Sequence, residues 1–254
     1  MLDLSHVAFA DILPFIAIGF AAQLVDGAIG MAFGQISSTL LVILGVPPAA
    51  ASAGVHTAET FTTAVSAISH VAHRNVDWKL FLRIAVPGVI GGVLGAYVLT
   101  RIDASVAKPA VLFYLSLLGL YLLWRGATHK HVEREPRIVE PLGLAGGFLD
   151  AAGGGGWGAV VTSNLLVQGT SPRKTIGTVN TAEFFLTVTI SATFIATLGW
   201  AAFTAKTFGL LIGGVLAAPF GAWIAKRVHA DTLLTGVGIV LTLSSLYGLW
   251  RVLA

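Results

Sequence analysis

Two glutamates sit where a charge is expensive. Glu59 and Glu183 each lie inside a run of Ala, Val, Ile, Phe and Thr long enough to cross a bilayer, where an ionised side chain costs at least ~2.5 kcal/mol unless it is paired, protonated or wetted. Their surroundings recur. Val55-His56-Thr57-Ala58-Glu59-Thr60-Phe61 returns 124 positions later as Val179-Asn180-Thr181-Ala182-Glu183-Phe184-Phe185, with five of seven residues identical. Two such residues at equivalent places in two halves suggest a binding site built by a duplicated transporter fold. Residues three before and four after each glutamate share its helical face, which gives two polar stripes, His56–Glu59–Thr63 and Asn180–Glu183–Thr187.

A second pair of features complements the first. Two apolar segments are interrupted by glycine-rich breaks, Asp26–Gly34 and Asp150–Gly158. A helix interrupted at membrane depth presents free N–H groups and the positive end of its dipole, and glycine lets the backbone approach a ligand. Gly30, Gly153, Gly154 and Gly155 are therefore candidate anion-binding turns, with Gln35, His56, Thr57, Trp157, Asn180 and Thr181 as candidate substrate contacts. Ser37, Ser38, Thr162, Ser163 and Asn164 are nearby donors for an oxyanion. An ionised glutamate repels an anion, so Glu59 and Glu183 are assigned to proton coupling. Asp26 and Asp150 read as helix caps at the breaks. Blander roles stay open: the glutamates could pair with polar neighbours to fix packing, His56 could be a hydrogen-bonded core histidine, and the glycines could serve close helix crossings.

The elements that must position these groups are membrane helices. The 254 residues are 56% hydrophobic and 11% charged, with mean hydropathy +0.85, far from the ~25% charged residues of soluble domains. The expected fold class is an all-α polytopic membrane protein with two inverted-topology repeats, each an interrupted or re-entrant helix pair followed by three transmembrane helices. Those helices are expected near Ala49–Val71, Leu82–Leu99 and Val106–Trp124, then Thr175–Leu198, Phe208–Ala225 and Leu233–Trp250. Turns at Gly45–Pro48 and Gly169–Pro172 separate the interrupted segments from the helices. Residues 1–125 form the first repeat, the polar stretch 126–141 a linker, and 142–254 the second repeat.

The duplication is the strongest organisational signal. Asp26–Phe61 and Asp150–Phe185 align without gaps with twelve identities in thirty-six positions. If each interrupted segment returns to its starting side, eleven Lys and Arg fall on one side and four on the other; if each crosses once, the split is nine to six. The positive-inside rule prefers the first arrangement. It places the linker in the cytoplasm and both termini outside, and it inverts the two halves. Inversion would bring the two stripes together at the midplane. Whether the interrupted segments are re-entrant or fully spanning is left open by the count. Trp78, Trp124, Trp200 and Trp250 read as interface anchors. The start, Met1–His6, has no basic residue before the first apolar run, so a cleaved signal peptide is not expected.

Several function classes are excluded or disfavoured. The basic balance, pI near 9.4, lies in short loops and serves orientation, so no nucleic-acid partner is expected. The chain has no cysteine, which excludes disulfides and thiolate chemistry. No H-E-x-x-H, P-loop or nucleophile motif appears, so no catalytic residue, metal or cofactor is assigned. An intramembrane acid–base enzyme using Glu59, Glu183 and His56, and an anion channel, are the alternatives to a secondary transporter.

At these residues the chain resembles the TauE/SafE family of sulfite exporters. The resemblance rests on the paired (L/F)-(V/L)-D-(G/A)-x-x-G-x-x-(F/W)-G segments at Leu24–Gly34 and Phe148–Gly158 and the paired (H/N)-T-A-E segments at His56–Glu59 and Asn180–Glu183. It runs from about Ile12 to Arg251. The resemblance implies transport of sulfite, thiosulfate, a sulfonate or a related small anion across the bacterial inner membrane, linked to proton movement. Protons and the lipid bilayer are then partners, with import or export and oligomeric state left open.

Overall fold

The computed structural model describes residues 9–29, 31–128, 135–200, 205–225 and 230–253. Among them there is no strand. The first half holds α1 (Phe9–Ile29), α2 (Phe33–Ile43), α3 (Pro48–Ala72), α4 (Trp78–Arg101) and α5 (Ala104–Thr128). The second holds α6 (Glu140–Gly153), a π-helical turn (Gly158–Thr162) running into α7 (Ser163–Val167), α8 (Pro172–Leu198), α9 (Ala205–Ala225) and α10 (Ala230–Leu253). Four described segments are long and apolar enough to cross a membrane: Trp78–Arg101, Ala104–Trp124, Arg173–Leu198 and Thr235–Leu253.

Local chemistry sets the boundaries. Pro48 and Pro172, expected in turns, instead open α3 and α8, because a proline at the first helical position loses an N–H that has no partner anyway. Asp77 caps α4 by accepting from the N–H groups of Lys79 and Leu80. The breaks are narrower than the glycine-rich motifs suggest. The first aspartate of each motif is still helical, and chain direction changes only after Ile29 and after Gly153. α2 has eleven residues, a length of ~16 Å, about half of a ~30 Å hydrocarbon layer.

Helix packing exchanges elements between the halves. α1 packs on α9 and α6 on α4, while α3 lies on α8 and α5 on α10. Glycine makes the first two contacts close. A Cβ on Gly19 would lie 2.8 Å from the Leu210 Cα, and one on Gly143 would lie 2.7 Å from the Ile84 carbonyl oxygen. These contacts are equivalent: Gly143 stands 124 positions after Gly19, and Leu210 stands 126 after Ile84. The contacts of Gly91, Gly95 and Gly213 with neighbouring backbone are of the same kind, as expected for small residues between membrane helices. Trp78, Trp124, Trp200 and Trp250 are exposed.

α3 and α8 run antiparallel. Arg173, at the start of α8, donates from Nε to Asn75 Oδ1 just past the end of α3 at 2.6 Å. Asn180 Nδ2 lies 3.3 Å from Ser66 Oγ, and the hydroxyls of Thr63 and Thr187 meet at 3.4 Å. Thr63 and Thr187 are themselves equivalent at the offset of 124, so the two copies of one helix cross at their own matching residue.

Filling either glycine contact must separate a helix pair. Gly19→Leu and Gly143→Leu are each expected to destabilise the protein by about 1–3 kcal/mol, read as a lowered thermal unfolding midpoint of the detergent-purified protein. Unchanged midpoints in both would show that neither approach is as tight as described.

Candidate functional site

The site forms where the two breaks touch beside the α3–α8 crossing. A Cβ on Gly34 would lie 2.9 Å from the Gly155 Cα, and one on Gly155 would lie 2.6 Å from the backbone nitrogen of Gln35. Only glycine permits that approach. Gly154, Gly155 and Gly156 follow one another with φ of 76°, 138° and 148°, a backbone that side chains rarely adopt. Ala32 occupies the position equivalent to Gly156 and holds φ 125°. Gly30 lies outside the described residues.

The carbonyls of the second break are tied down by side chains from three elements. Ser38 of α2 donates to the Gly154 oxygen, Tyr114 of α5 to the Gly155 oxygen at 3.3 Å, and Ser52 of α3 to the Ala151 oxygen at 2.7 Å. Gly153 packs so closely on the Tyr114 ring that a Cβ would lie 2.5 Å from its Cδ1. With these acceptors occupied, the positive ends of the local dipoles are what the turn can offer to an anion.

Both aspartates act on the residue that restarts the helix. Asp26 Oδ1 accepts from the Phe33 N–H at 3.3 Å, and Asp150 Oδ1 from the Trp157 N–H at 2.8 Å. Phe33 and Trp157 are repeat partners, 124 apart. Asp150 does more than cap, because its Oδ2 lies 3.0 Å from His56 Nε2 with both side chains buried. The other ring nitrogen, Nδ1, lies 2.7 Å from the Ser52 carbonyl oxygen. His56 is thereby fully engaged by the protein.

The glutamates are less alike than their sequences. Glu59 is buried and sets Oε1 beside Gly34 in the first turn of α2, where a Cβ on that glycine would lie 3.0 Å from it, while its Oε2 is buried with no hydrogen-bond partner among the described residues. Glu183 is half-buried. They do not face each other directly. Each precedes its crossing threonine by four residues, so in an antiparallel pair they fall on opposite sides of the crossing, about 12 Å apart along the axes. Glu59 is within Coulombic reach of His56, Asp150 and Asp26, and Glu183 of Glu59, Asp26 and Asp150.

The remaining candidates are spread around this centre. Gln35 is buried one residue beyond Gly34. Thr57 and Thr181 each turn their hydroxyl back to the carbonyl four residues earlier. Asn180 reaches Ser66 rather than the first break. The Trp157 ring is wholly buried in the core and donates to the Val179 carbonyl at 3.2 Å. Ser37 and Thr162 carry buried hydroxyls without partners among the described residues. Among those residues there is no cluster of groups suited to a metal ion. Ser52 and Tyr114 were not anticipated. Ser52 lies four residues before His56 on the same stripe, a spacing that could have revealed it; nothing in the sequence ties Tyr114 to a break forty residues away.

An all-helical chain with several bilayer-length apolar helices, folded around a polar centre of interrupted helix ends, is a multi-pass membrane protein. The family model described as "Sulfite exporter TauE/SafE" matches residues 15–248, and the chain belongs to that family. It is similar to "Probable membrane transporter protein YtnM" of Bacillus subtilis (strain 168), 43% identical over 236 residues that cover 89% of this chain and 79% of that protein. A "Probable membrane transporter protein" of Xylella fastidiosa (strain 9a5c) is 25% identical over 258 residues, covering 92% of each. "Sulfite exporter TauE/SafE family protein 3" of Arabidopsis thaliana is 23% identical over 111 residues, 44% of this chain and 23% of that protein. The protein is thus of a membrane transporter class and not an enzyme.

The caps should differ in worth. Asp26→Ala removes the acceptor for the Phe33 N–H and is expected to cost about 0.5–1.5 kcal/mol. Asp150→Ala also strips the buried His56 of its partner and should cost about 3–5 kcal/mol. Chemical or thermal unfolding of the two variants side by side measures the difference, and equal losses would deny the His56 contact its importance.

Proposed function

We propose that the protein is a secondary transporter that moves a small sulfur-containing anion, such as sulfite, thiosulfate or an organosulfonate, across the bacterial plasma membrane by alternating access of two inverted repeats. The repeats are residues 1–125 and 142–254, joined by a cytoplasmic linker at 126–141, with both termini outside. The antiparallel crossing of α3 and α8 at matching threonines supports the inversion.

One observation carries the mechanism: the Glu59 carboxylate stands against Gly34 at the start of α2, its Oε1 3.0 Å from where a Cβ on that glycine would lie, and its second oxygen has no partner among the described residues. A helix N-terminus is an anion site, and here a carboxylate of the chain itself stands where a substrate oxyanion would stand. Substrate and Glu59 then compete for the same donors. A proton on Glu59 weakens its attraction to the helix N-terminus and removes its repulsion of the substrate, so anion entry and proton uptake favour each other. Glu183, across the crossing, plays the matching part for the second break, where Gly153, Gly154 and Gly155 lie. The substrate contacts are drawn from Gly30, Gln35, Thr57, Asn180 and Thr181, with His56 and Trp157 shaping the second break and Asp26 and Asp150 capping the restarted helices.

Purified protein in liposomes, offered sulfite, thiosulfate, sulfoacetate and sulfate with and without an imposed pH gradient, tests this reading. Saturable flux of at least one sulfur anion that rises with the gradient is expected. Glu59→Gln and Glu183→Gln should fold and lose the gradient response, since an amide accepts a hydrogen bond but takes up no proton. Wild-type gradient-driven flux in both variants would remove the glutamates from the coupling.

A further inference from the structure

The donors and acceptors around His56 do not balance unless a proton is added. Nδ1 faces the Ser52 carbonyl oxygen at 2.7 Å, which can only accept, so Nδ1 must carry a hydrogen. The Ser52 hydroxyl, 3.2 Å from the same nitrogen, cannot donate to it, because its hydrogen goes to the Ala151 carbonyl at 2.7 Å. A neutral imidazole protonated at Nδ1 offers a lone pair at Nε2. That lone pair points at Asp150 Oδ2, 3.0 Å away. An ionised carboxylate is also acceptor-only, and its other oxygen already accepts from the Trp157 N–H. Two lone pairs facing at that distance, with both side chains buried, repel; one more proton turns the repulsion into a hydrogen bond.

We propose that His56 and Asp150 form a proton-holding site that clamps the second glycine break, the pair together carrying two protons, either as imidazolium with carboxylate or as imidazole with carboxylic acid. This rests on the transport reading and deepens it, since it assigns a coupling proton to groups other than the two glutamates. The position of the pair gives the proton its leverage. Asp150 fixes the break from both of its polar ends: Oδ1 holds Trp157, and its carbonyl oxygen accepts the Gly155 N–H at 2.8 Å. Removing the proton sets Asp150 against His56 and loosens the segment that contacts Gly34 and Gln35. Proton release and movement of the break are thereby the same event.

The surroundings favour holding that proton. The other ionisable groups within Coulombic reach of the pair are Glu59 on α3, Tyr114 on α5 and Glu183 on α8, and none of them is basic. From α8 the ring of Phe194 packs against the imidazole, with centroids 6.5 Å apart, and excludes water on that side. Among the described residues the first break has no such pair. Asn180 replaces the histidine and bonds to Ser66, so only one half of the duplicated site is equipped with this proton.

The test reads protons directly. Protein labelled with 15N-histidine, reconstituted in liposomes at neutral pH without substrate, is compared by solid-state NMR and infrared spectroscopy with Asp150→Asn and His56→Gln. His56→Gln identifies the His56 signals among the seven histidines; if it does not fold, the signals that Asp150→Asn perturbs identify them. The wild type is expected to show either both His56 nitrogens protonated or one protonated together with a carboxylic-acid stretch that disappears in Asp150→Asn. In Asp150→Asn, whose amide donates to Nε2 while its oxygen still accepts from Trp157, the ring should hold a single proton at Nδ1. A wild-type ring with one proton and no such stretch overturns the proposal. Because no substrate is present, this result stands or falls separately from the liposome flux.

Discussion

An interrupted helix in hydrocarbon leaves backbone N–H and C=O groups that lipid cannot satisfy, and the centre of this protein is organised by where those groups find partners. The second break is the clearer case. Its carbonyls are met by Ser38, Ser52 and Tyr114 from three different helices, and its N–H groups by the carboxylate and carbonyl of Asp150. Each partner is polar and placed at depth, which is costly unless the break is there to use it. Break and partners therefore stabilise one another as a unit, and neither would persist in lipid without the other.

That unit can form only if several helices approach within backbone distance, which explains where the remaining glycines lie. Gly19 against Leu210 and Gly143 against Ile84 bring the first member of each interrupted pair onto a helix of the other half. Between membrane helices there is no hydrophobic drive to association, so close dispersion contact of this kind is what holds them. The exchange of contacts between halves, with α1 on α9 and α6 on α4, fixes the two breaks at the centre. The ion pair of Arg83 and Glu140, 2.5 Å at the starts of α4 and α6, is exposed and adds little beside this packing.

Much of this was legible in the sequence, and the parts that were not share a cause. The duplication, the helix spans, the two breaks and the polar stripes all follow from periodicity and repetition, which are local or translational signals. Pro48 and Pro172 were misread as turn residues because a proline looks the same at the end of a loop and at the first position of a helix. The glutamates were expected together at the midplane, but an antiparallel crossing at Thr63 and Thr187 pushes residues that precede those threonines to opposite sides. The pairing of His56 with Asp150 spans 94 positions and breaks the repeat, since His56 has Asn180 as its counterpart. Spacing within a repeat says nothing about a contact that only one copy makes.

The loss of equivalence between the halves has an energetic consequence. Where the second break has Gly156 at φ 148°, the first has Ala32 at φ 125°, a conformation that costs a side-chain-bearing residue of order 1–3 kcal/mol. The first break has Glu59 packed beside Gly34, and the second is held by Asp150 with His56. Were the halves identical, exchanging their conformations would produce a state of equal energy. In the alternating-access cycle proposed above, strain stored in one break and a buried acid–histidine pair in the other would make the two exchanged states unequal, and whatever changes the charge of Glu59 or of the His56–Asp150 pair would shift the balance between them. A ligand does the same only to the extent that it contacts the two breaks unequally, which the unequal chemistry of Gly34 and of Gly154–Gly156 makes unavoidable.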